Sequence, residues 1–281
     1  MQLNTDICSI ITLYINKPKY KLLDWISIDK LNWIFLSKNQ NAIELLNENY
    51  DKIEWDCLCE NTNTILILQN QDKINWNILS RNPNAIDLLK KNYDKINWHW
   101  LSSNPNAIEL LKNNYDKINW SMLSNNYNSI ELLKQNYDKI DWSQLSINPN
   151  AIDLLTQNEG KIDWNLLSLN PNAISLLTKN SNKINWDFLS SNPNAITILE
   201  QNKDKINWLY LSSNPNAIEL LKQNPDKIHW YWLSSNPNAI ELLKQNYDNI
   251  NWNKISTNKS IFEFATKSEL INKVINIILC N

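Results

Sequence analysis

Eleven tryptophans, Trp33, Trp55, Trp76, Trp98, Trp120, Trp142, Trp164, Trp186, Trp208, Trp230 and Trp252, follow one another at spacings of 22, 21 and then always 22 residues. A fixed period of this size marks a tandem array, in which each unit is too small to bury a core alone and must stack on its neighbours. Counted from the residue two before its Trp, ten complete units run from Leu31 to Asn249, and the short one is Ile53–Lys73. A representative unit, Ile206–Lys227, reads INWLYLSSNPNAIELLKQNPDK.

Each unit reads as two short helices. The longer one begins where Asn precedes Pro, as at Asn104 and Pro105 or Asn214 and Pro215; Asn caps a helix and Pro suits its first turn. Ala217, Ile218, Leu220 and Leu221 then form one apolar stripe. Position 19 is Asn in all ten units, and the sequence predicts that it closes the helix in the left-handed conformation that Gly usually supplies. The shorter helix starts at Asn or Asp in position 2, with Trp at 3 and Leu at 6 one turn apart, as in Asp141, Trp142 and Leu145. The expected fold class is all-α: an α-solenoid of two-helix repeats of about 22 residues, with the Trp ladder filling the seams between layers. The rival for a 22-residue period with a recurrent Leu-x-x-Asn is a leucine-rich repeat. It needs a strand before the Asn, where this chain has INWHWLSS followed by Asn and Pro.

An open array needs atypical ends. Three segments are expected: residues 1–30 as an N-terminal cap carrying Trp25, residues 31–249 as ten repeats, and residues 250–281 as a partial repeat and a C-terminal capping helix with Leu270, Ile271, Val274, Ile277 and Ile278 on one stripe. Ile7–Ile15, the apolar run near the start, has no preceding basic residue and is too short to span a bilayer, so neither a signal peptide nor a transmembrane segment is read. Four scattered cysteines make no disulfide framework and point to a reducing compartment. The net charge of −2 advertises neither nucleic acid nor an anionic membrane.

The string LSSNPNAIELLKQNPDKIHWYWLSSNPNAIELLKQN, Leu211–Asn246, resembles the Trp- and Asn-rich tandem repeat proteins encoded by giant DNA viruses of protists. The opening YKLLDWISIDKLNWIFLSKNQNAIELL, Tyr20–Leu46, resembles the start of those proteins. The resemblance implies a viral origin and a place in the cytoplasm of an infected cell or in the virion; it brings no catalytic motif. It also implies an AT-rich genome, which by itself accounts for an excess of Asn, 51 residues of 281. The second unit departs most, with ENTNTILIL at Glu60–Leu68 and one residue missing, so a local irregularity is expected there.

No catalytic constellation is found, and the expectation is a non-enzyme without cofactor or metal. His99 and His229 occupy different positions of distant units, and Cys57 and Cys59 lack the second pair that zinc requires. With a single glycine, Gly160, there is no phosphate loop. The recurrent Ser at position 7 has no His beside it and is read as closing the short helix.

A stacked array offers a long concave face, so binding of another protein is the leading expectation. The candidate residues are those free to vary between units: Asn77, His99, Ser121, Ser143, Asn165, Asp187, Leu209 and Tyr231 at position 4, and Arg81, Ser103, Asn125, Ile147 and Leu169 at position 8. The bland alternative is that they simply face solvent. Trp100, Tyr210, Tyr231 and Trp232 have the chemistry of hot-spot anchors, although position 5 is large and apolar in most units and is assigned first to the core. Nucleic acid is the runner-up, through a row of Lys at position 22 (Lys117, Lys139, Lys161), but Asp at position 21 runs beside it and cancels its field; a structural role in a virion or self-assembled array is the third reading.

Overall fold

The computed structural model describes residues 19–266 and 268–271. Each of the ten complete units carries the two expected helices, and the helical solenoid, not the leucine-rich repeat, is the fold. The Trp-bearing helices are four to six residues long, for instance Trp98–Leu101 and Trp120–Asn125. The cap reading holds in detail: Asn97 Oδ1 accepts from Trp100 N at 3.2 Å and Asp141 Oδ1 from Gln144 N at 3.1 Å. The second helix, such as Ile108–Lys112, follows a single 3₁₀ turn at Pro105–Ala107, whose cap Asn104 accepts from Asn106 N at 3.0 Å. A further 3₁₀ turn at positions 20–22, such as Tyr115–Lys117, ends the unit and is not announced by the apolar pattern.

Position 19 corrects the left-handed expectation. No non-glycine residue among those described has positive φ, and Asn114 sits at φ −139°, ψ 52°. Its side chain closes the helix instead, with Nδ2 donating to Leu110 O at 2.9 Å. A side-chain amide that reaches the carbonyl four residues back satisfies an orphan acceptor, and no left-handed turn is needed.

Four recurrent polar groups join neighbouring units, the fourth of them in only some units. Asn at position 9, buried throughout, donates through Nδ2 to the carbonyls of positions 7 and 9 in the preceding unit, as Asn148 does to Ser124 O at 3.1 Å and Asn126 O at 2.8 Å. Ser at position 7 donates to the Trp carbonyl of its own helix and accepts from the backbone N–H at position 2 of the next unit, as Ser124 does with Trp120 and Asp141. The helix-closing role is therefore accompanied by a staple between layers. Asn at position 11 donates to the position-10 carbonyl behind it, as Asn150 does to Tyr127 O. The fourth group is Tyr at position 20, whose hydroxyl reaches the position-19 Asn of the next unit, for example Tyr115 to Asn136. Around these bonds runs one continuous core built from the Leu at position 6, the Ala at position 12 and the Leu at position 16; in one unit these are Leu145, Ala151 and Leu155, each fully buried. The Trp rings pack against this core but stay partly exposed rather than filling sealed seams.

The two ends do not cap separate faces; they meet. Asn39 Nδ2 donates to Ser256 O at 3.2 Å and Asn258 O at 3.0 Å, Asn32 N donates to Ser256 Oγ at 2.9 Å, and Asn32 Nδ2 donates to Asn253 Oδ1 at 2.9 Å. The Asn39 bonds are those that the position-9 Asn makes at every other interface, formed here between residues 217 and 219 positions apart. Lys30 lies over the rings of Tyr247 and Trp252, as Lys117 lies over Tyr93 and Trp98. The chain is thus a closed ring of eleven units among the described residues, the last assembled from both ends: 250–264 supply its Trp helix, and 20–30 supply its final turn. In place of a second helix this unit has two antiparallel strands, β1 (Tyr20–Leu22) and β2 (Phe262–Phe264), with Tyr20 opposite Phe264. Closure buries both open ends of the core against each other, which removes the need for caps in the way a barrel removes sheet edges.

Of the segment read as an N-terminal cap, residues 19–30 form β1 and one 3₁₀ turn at Ile28–Lys30 and no α-helix, with Trp25 packed on the core. The remainder of that segment, and Val274, Ile277 and Ile278 of the C-terminal helix, lie outside the described residues. The start of that helix is fixed by a reciprocal cap: Glu269 Oε2 accepts from Thr266 N at 2.7 Å while Thr266 Oγ1 accepts from Glu269 N at 3.3 Å. The irregularity of the second unit is confined to its second helix, Ile65–Gln69, which loses the residue at its start and leaves Ile65 and Leu68 half exposed; the Asn ladder on either side is intact.

Candidate functional site

Sharing one full turn over eleven units rotates each by about 33°. Successive Trp helices lie close together at several interfaces, as Trp120–Asn125 does with Trp142–Ile147 and Trp186–Ser191 with Trp208–Leu211, while no successive second helices approach as closely, so the Trp helices form the inner layer. A concave pocket of about 390 Å³ agrees with this, because Lys38, Glu60, Ser235 and Thr257, position-8 residues of four consecutive units, all line it. Helices packed about 8–10 Å apart place eleven axes about 14–18 Å from the ring centre. With helices about 5–6 Å in outer radius, a central opening about 16–24 Å wide remains.

On each Trp helix, positions 6 and 7 are buried and position 3 packs on the core, leaving positions 4, 5 and 8 to form the inner wall. The wall residues at position 4 are not the free set that their variation suggested. Asn77 Oδ1 accepts from Asn97 Nδ2 at 2.8 Å, His99 Nδ1 from Asn119 Nδ2 at 3.0 Å, Asn165 Oδ1 from Asn185 Nδ2 at 3.0 Å and Asp187 Oδ1 from Asn207 Nδ2 at 2.8 Å. Ser121 and Ser143 reverse the direction, donating to Asp141 Oδ2 at 2.6 Å and Asp163 Oδ2 at 3.1 Å. The identities match: Asn at position 2 of the next unit faces an acceptor, and Asp at position 2 faces a serine hydroxyl. Much of the variation at position 4 is therefore complementarity with position 2, a pattern present in the sequence and readable by comparing adjacent units.

Position 8 is mixed. Arg81 lies 5.3 Å over Trp100 of the next unit, Ser103 Oγ donates to the carbonyl of Trp100, Asn125 is exposed, and Ile147 and Leu169 are half-buried. Position 5, assigned from sequence to the core, is corrected: Trp100, Met122, Phe188, Tyr210 and Trp232 are only partly buried and stand on the wall beside position 4.

The ladder stops in two places. At one, Ile34, 51% exposed, faces Glu54, which does not cap its helix. At the other, Leu209, 37% exposed, and Tyr231, 42% exposed, make no such bond, and His229, following Leu209, is at position 2 but does not cap its helix. Here large rings gather instead. Phe188 and Tyr210 meet edge to face at 6.5 Å, Tyr231 meets Trp232 at 5.3 Å and His229 at 6.3 Å, and Lys254 lies 4.6 Å over Trp232.

The lysines at position 22 are engaged elsewhere. Lys139 Nζ stands 4.6 Å from the Trp120 ring and 4.4 Å from the Tyr115 ring of the preceding unit, and its neighbours Lys117 and Lys161 repeat this. The Lys row is a set of cation–π clamps over the Trp ladder. Cys57 and Cys59 are free thiols; burial pushes both above their ordinary pKa, and Cys59 takes the place of the position-7 Ser in the second unit. No described group of three or more His, Cys, Asp or Glu is placed to hold a metal ion, and no described helix is long and apolar enough to cross a membrane. Compared with models of known families, with curated proteins and with solved structures, the chain has no match.

Proposed function

We propose that this ring is a non-enzymatic scaffold that binds another protein on its inner wall, at the arc from Phe188 to Lys254. The observation that supports it is that the position-4 ladder is interrupted where large aromatic side chains gather on the wall. At Leu209 and His229 the chain gives up an inter-unit hydrogen bond and a helix cap, the cap alone worth about 1 kcal/mol, and sets large, part-exposed side chains in their place. A local rule broken without a gain in packing marks a functional position, and Trp and Tyr are the residues that dominate protein interfaces. His99 and His229, in distant units and on different partners, favour no acid–base pair. The engagement of the Lys row in ring contacts argues against nucleic acid, since a phosphate contact would have to displace it. The resemblance to giant-virus repeat proteins makes a host or viral protein the partner, in infected cytoplasm or in the virion.

A photo-crosslinking residue placed at Tyr231, compared with one at the outward-facing Glu109, tests this in host-cell extract. A discrete protein adduct from Tyr231 alone is expected; adducts from both positions, or from neither, overturn the reading.

A further inference from the structure

The tyrosines at position 20 each fill the same slot against the next unit. Tyr50, Tyr93, Tyr115 and Tyr137 set their rings edge to face with the following Trp, 5.3 or 5.4 Å between centroids. Each hydroxyl is used twice. It donates to Oδ1 of the position-19 Asn, as Tyr115 does to Asn136, and it accepts from Nζ of the position-22 Lys, as Tyr115 does from Lys139 at 3.0 Å. The same ammonium stands over the phenol ring, 4.4 Å away for Lys139. The slot thus recognises an aromatic ring with a hydroxyl that both donates and accepts.

Ser181 is the smallest residue at position 20, smaller than Gln71, Glu159, Lys203 and Pro225, which replace Tyr elsewhere. The rest of the slot is kept. Trp186, Asn202 and Lys205 hold the places of Trp120, Asn136 and Lys139, and Lys205 Nζ lies 4.6 Å over the Trp186 ring. Where a tyrosine ring would stand there is a solvent-open cavity of about 330 Å³, lined by Ser181, Ile184, Trp186, Ile198, Asn202 and Lys205. Ile184 is only half-buried, whereas its counterparts Ile162 and Ile206 in the flanking units are buried. Asn202 Nδ2 is spent on Ile198 O at 2.9 Å, and among the described residues nothing donates to its Oδ1. An apolar cavity of about 150 Å³ is enough to take up benzene, so a single aromatic ring has room here.

We infer that the slot at Ser181 binds an aromatic alcohol, a phenol substituted opposite its hydroxyl, in the place that tyrosine fills in the sister units. Four filled copies of the slot in the same ring define this occupant. Its ring stands edge to face with Trp186, beside Ile184 and Ile198, and its hydroxyl donates to Asn202 Oδ1 and accepts from Lys205 Nζ. A ring without the hydroxyl leaves both groups unmatched and binds less well. A tyrosine side chain of another polypeptide and a small free phenol offer this same chemistry. The slot lies at the turns that link the second helix of one unit to the Trp helix of the next, apart from positions 4, 5 and 8 of the inner wall. It therefore stands or falls independently of the scaffold reading.

The test follows the indole N–H resonances of the full chain by NMR, the Trp186 signal being identified by its loss in Trp186→Phe. The probe 4-methylphenol should shift that signal saturably and bind about tenfold more tightly than toluene, which has the ring and the methyl group but no hydroxyl. Ser181→Tyr, which fills the slot from within, should abolish the shift. Tyr115→Ser, which empties a filled slot, should confer a new one on Trp120. Circular dichroism of each variant checks the fold, and Ser181→Tyr serves as the test should Tyr115→Ser unfold. No saturable shift at Trp186, equal affinity for toluene, binding that survives Ser181→Tyr, or a folded Tyr115→Ser with no shift at Trp120 overturns the inference. Tighter binding of N-acetyltyrosinamide than of 4-methylphenol assigns the slot to a tyrosine on a polypeptide, and weaker binding assigns it to a free phenol.

Discussion

The interface between units five and six and the one that closes the ring use the same bonds. Asn148 reaches Ser124 and Asn126 across the first, and Asn39 reaches Ser256 and Asn258 across the second, at nearly equal distances. They differ in what lies outside those bonds. The interior interface joins consecutive stretches of chain, each with a second helix; the seam joins the two ends and has only the three-residue strands β1 and β2, fastened by Lys21 to Glu263 at 2.9 Å and to Glu269 at 2.8 Å. Closure therefore needs no special interface. It needs the array to curve until its last unit offers the first the same surface that every unit offers the next.

The comparison can be broken most sharply at Asn148. Asn148→Ala removes two inter-unit donors and a helix cap and leaves buried carbonyls unpaired, a loss of about 3–5 kcal/mol, checked by urea denaturation. The equivalent Asn39→Ala should act differently, because the remaining interfaces still stack as a linear array. Its signature is an increase in the radius of gyration by small-angle scattering before any loss of helix, and an unchanged radius would contradict the assignment of the seam. Trp142→Ala should also cost about 3–5 kcal/mol even though its ring is partly exposed; an unshifted melting curve would refute the packing described. Lys139→Glu removes one clamp from Trp120 and Tyr115 and should cost about 1 kcal/mol, with no change in retention on heparin.

The smallest effect belongs to the seam alone. The Lys21 ammonium and the Thr266 N–H hold the Glu269 carboxyl down to about 2, and the same seam carboxylates, Glu269 and Glu263, push the Lys21 ammonium above its ordinary range. A lowered carboxyl favours the folded state fully above its unfolded value of about 4.3, and the contribution fades as pH falls toward about 2. The protection factor of the Leu23 amide, which donates across the seam to Ile261, should fall over that window while that of Asn148 does not. Glu269→Gln should abolish the difference.

The helices, their caps and the apolar stripe are legible from residues alone, because each rests on local rules: Asn before Pro, Ala-Ile-x-Leu-Leu, and Trp and Leu one turn apart. Asn at position 19 is placed correctly by those rules and its conformation is not, since a side-chain amide can do by hydrogen bonding what a left-handed turn does by geometry. The candidates at position 4 read as variable and free. Their pairing with position 2 lies in adjacent units, 20 residues on, and shows only when units are compared in register. The inner-wall placement of Phe188, Tyr210 and Trp232 escapes the sequence because a large apolar residue in a repeat is a core residue until the curvature is known.

The sequence by itself determined the period, the two helices of each unit and their apolar stripe. All of these follow from spacing and from the local hydrogen-bonding habits of Asn, Ser and Pro. Only the tertiary structure decided that the array is a ring, that residues 20–30 complete a unit begun at Ile250, and which face lines the opening. The rotation between units is set by how closely the inner helices approach compared with the outer ones. That difference is a property of packed side chains in three dimensions, and a 22-residue period is the same whether the array runs straight or closes on itself.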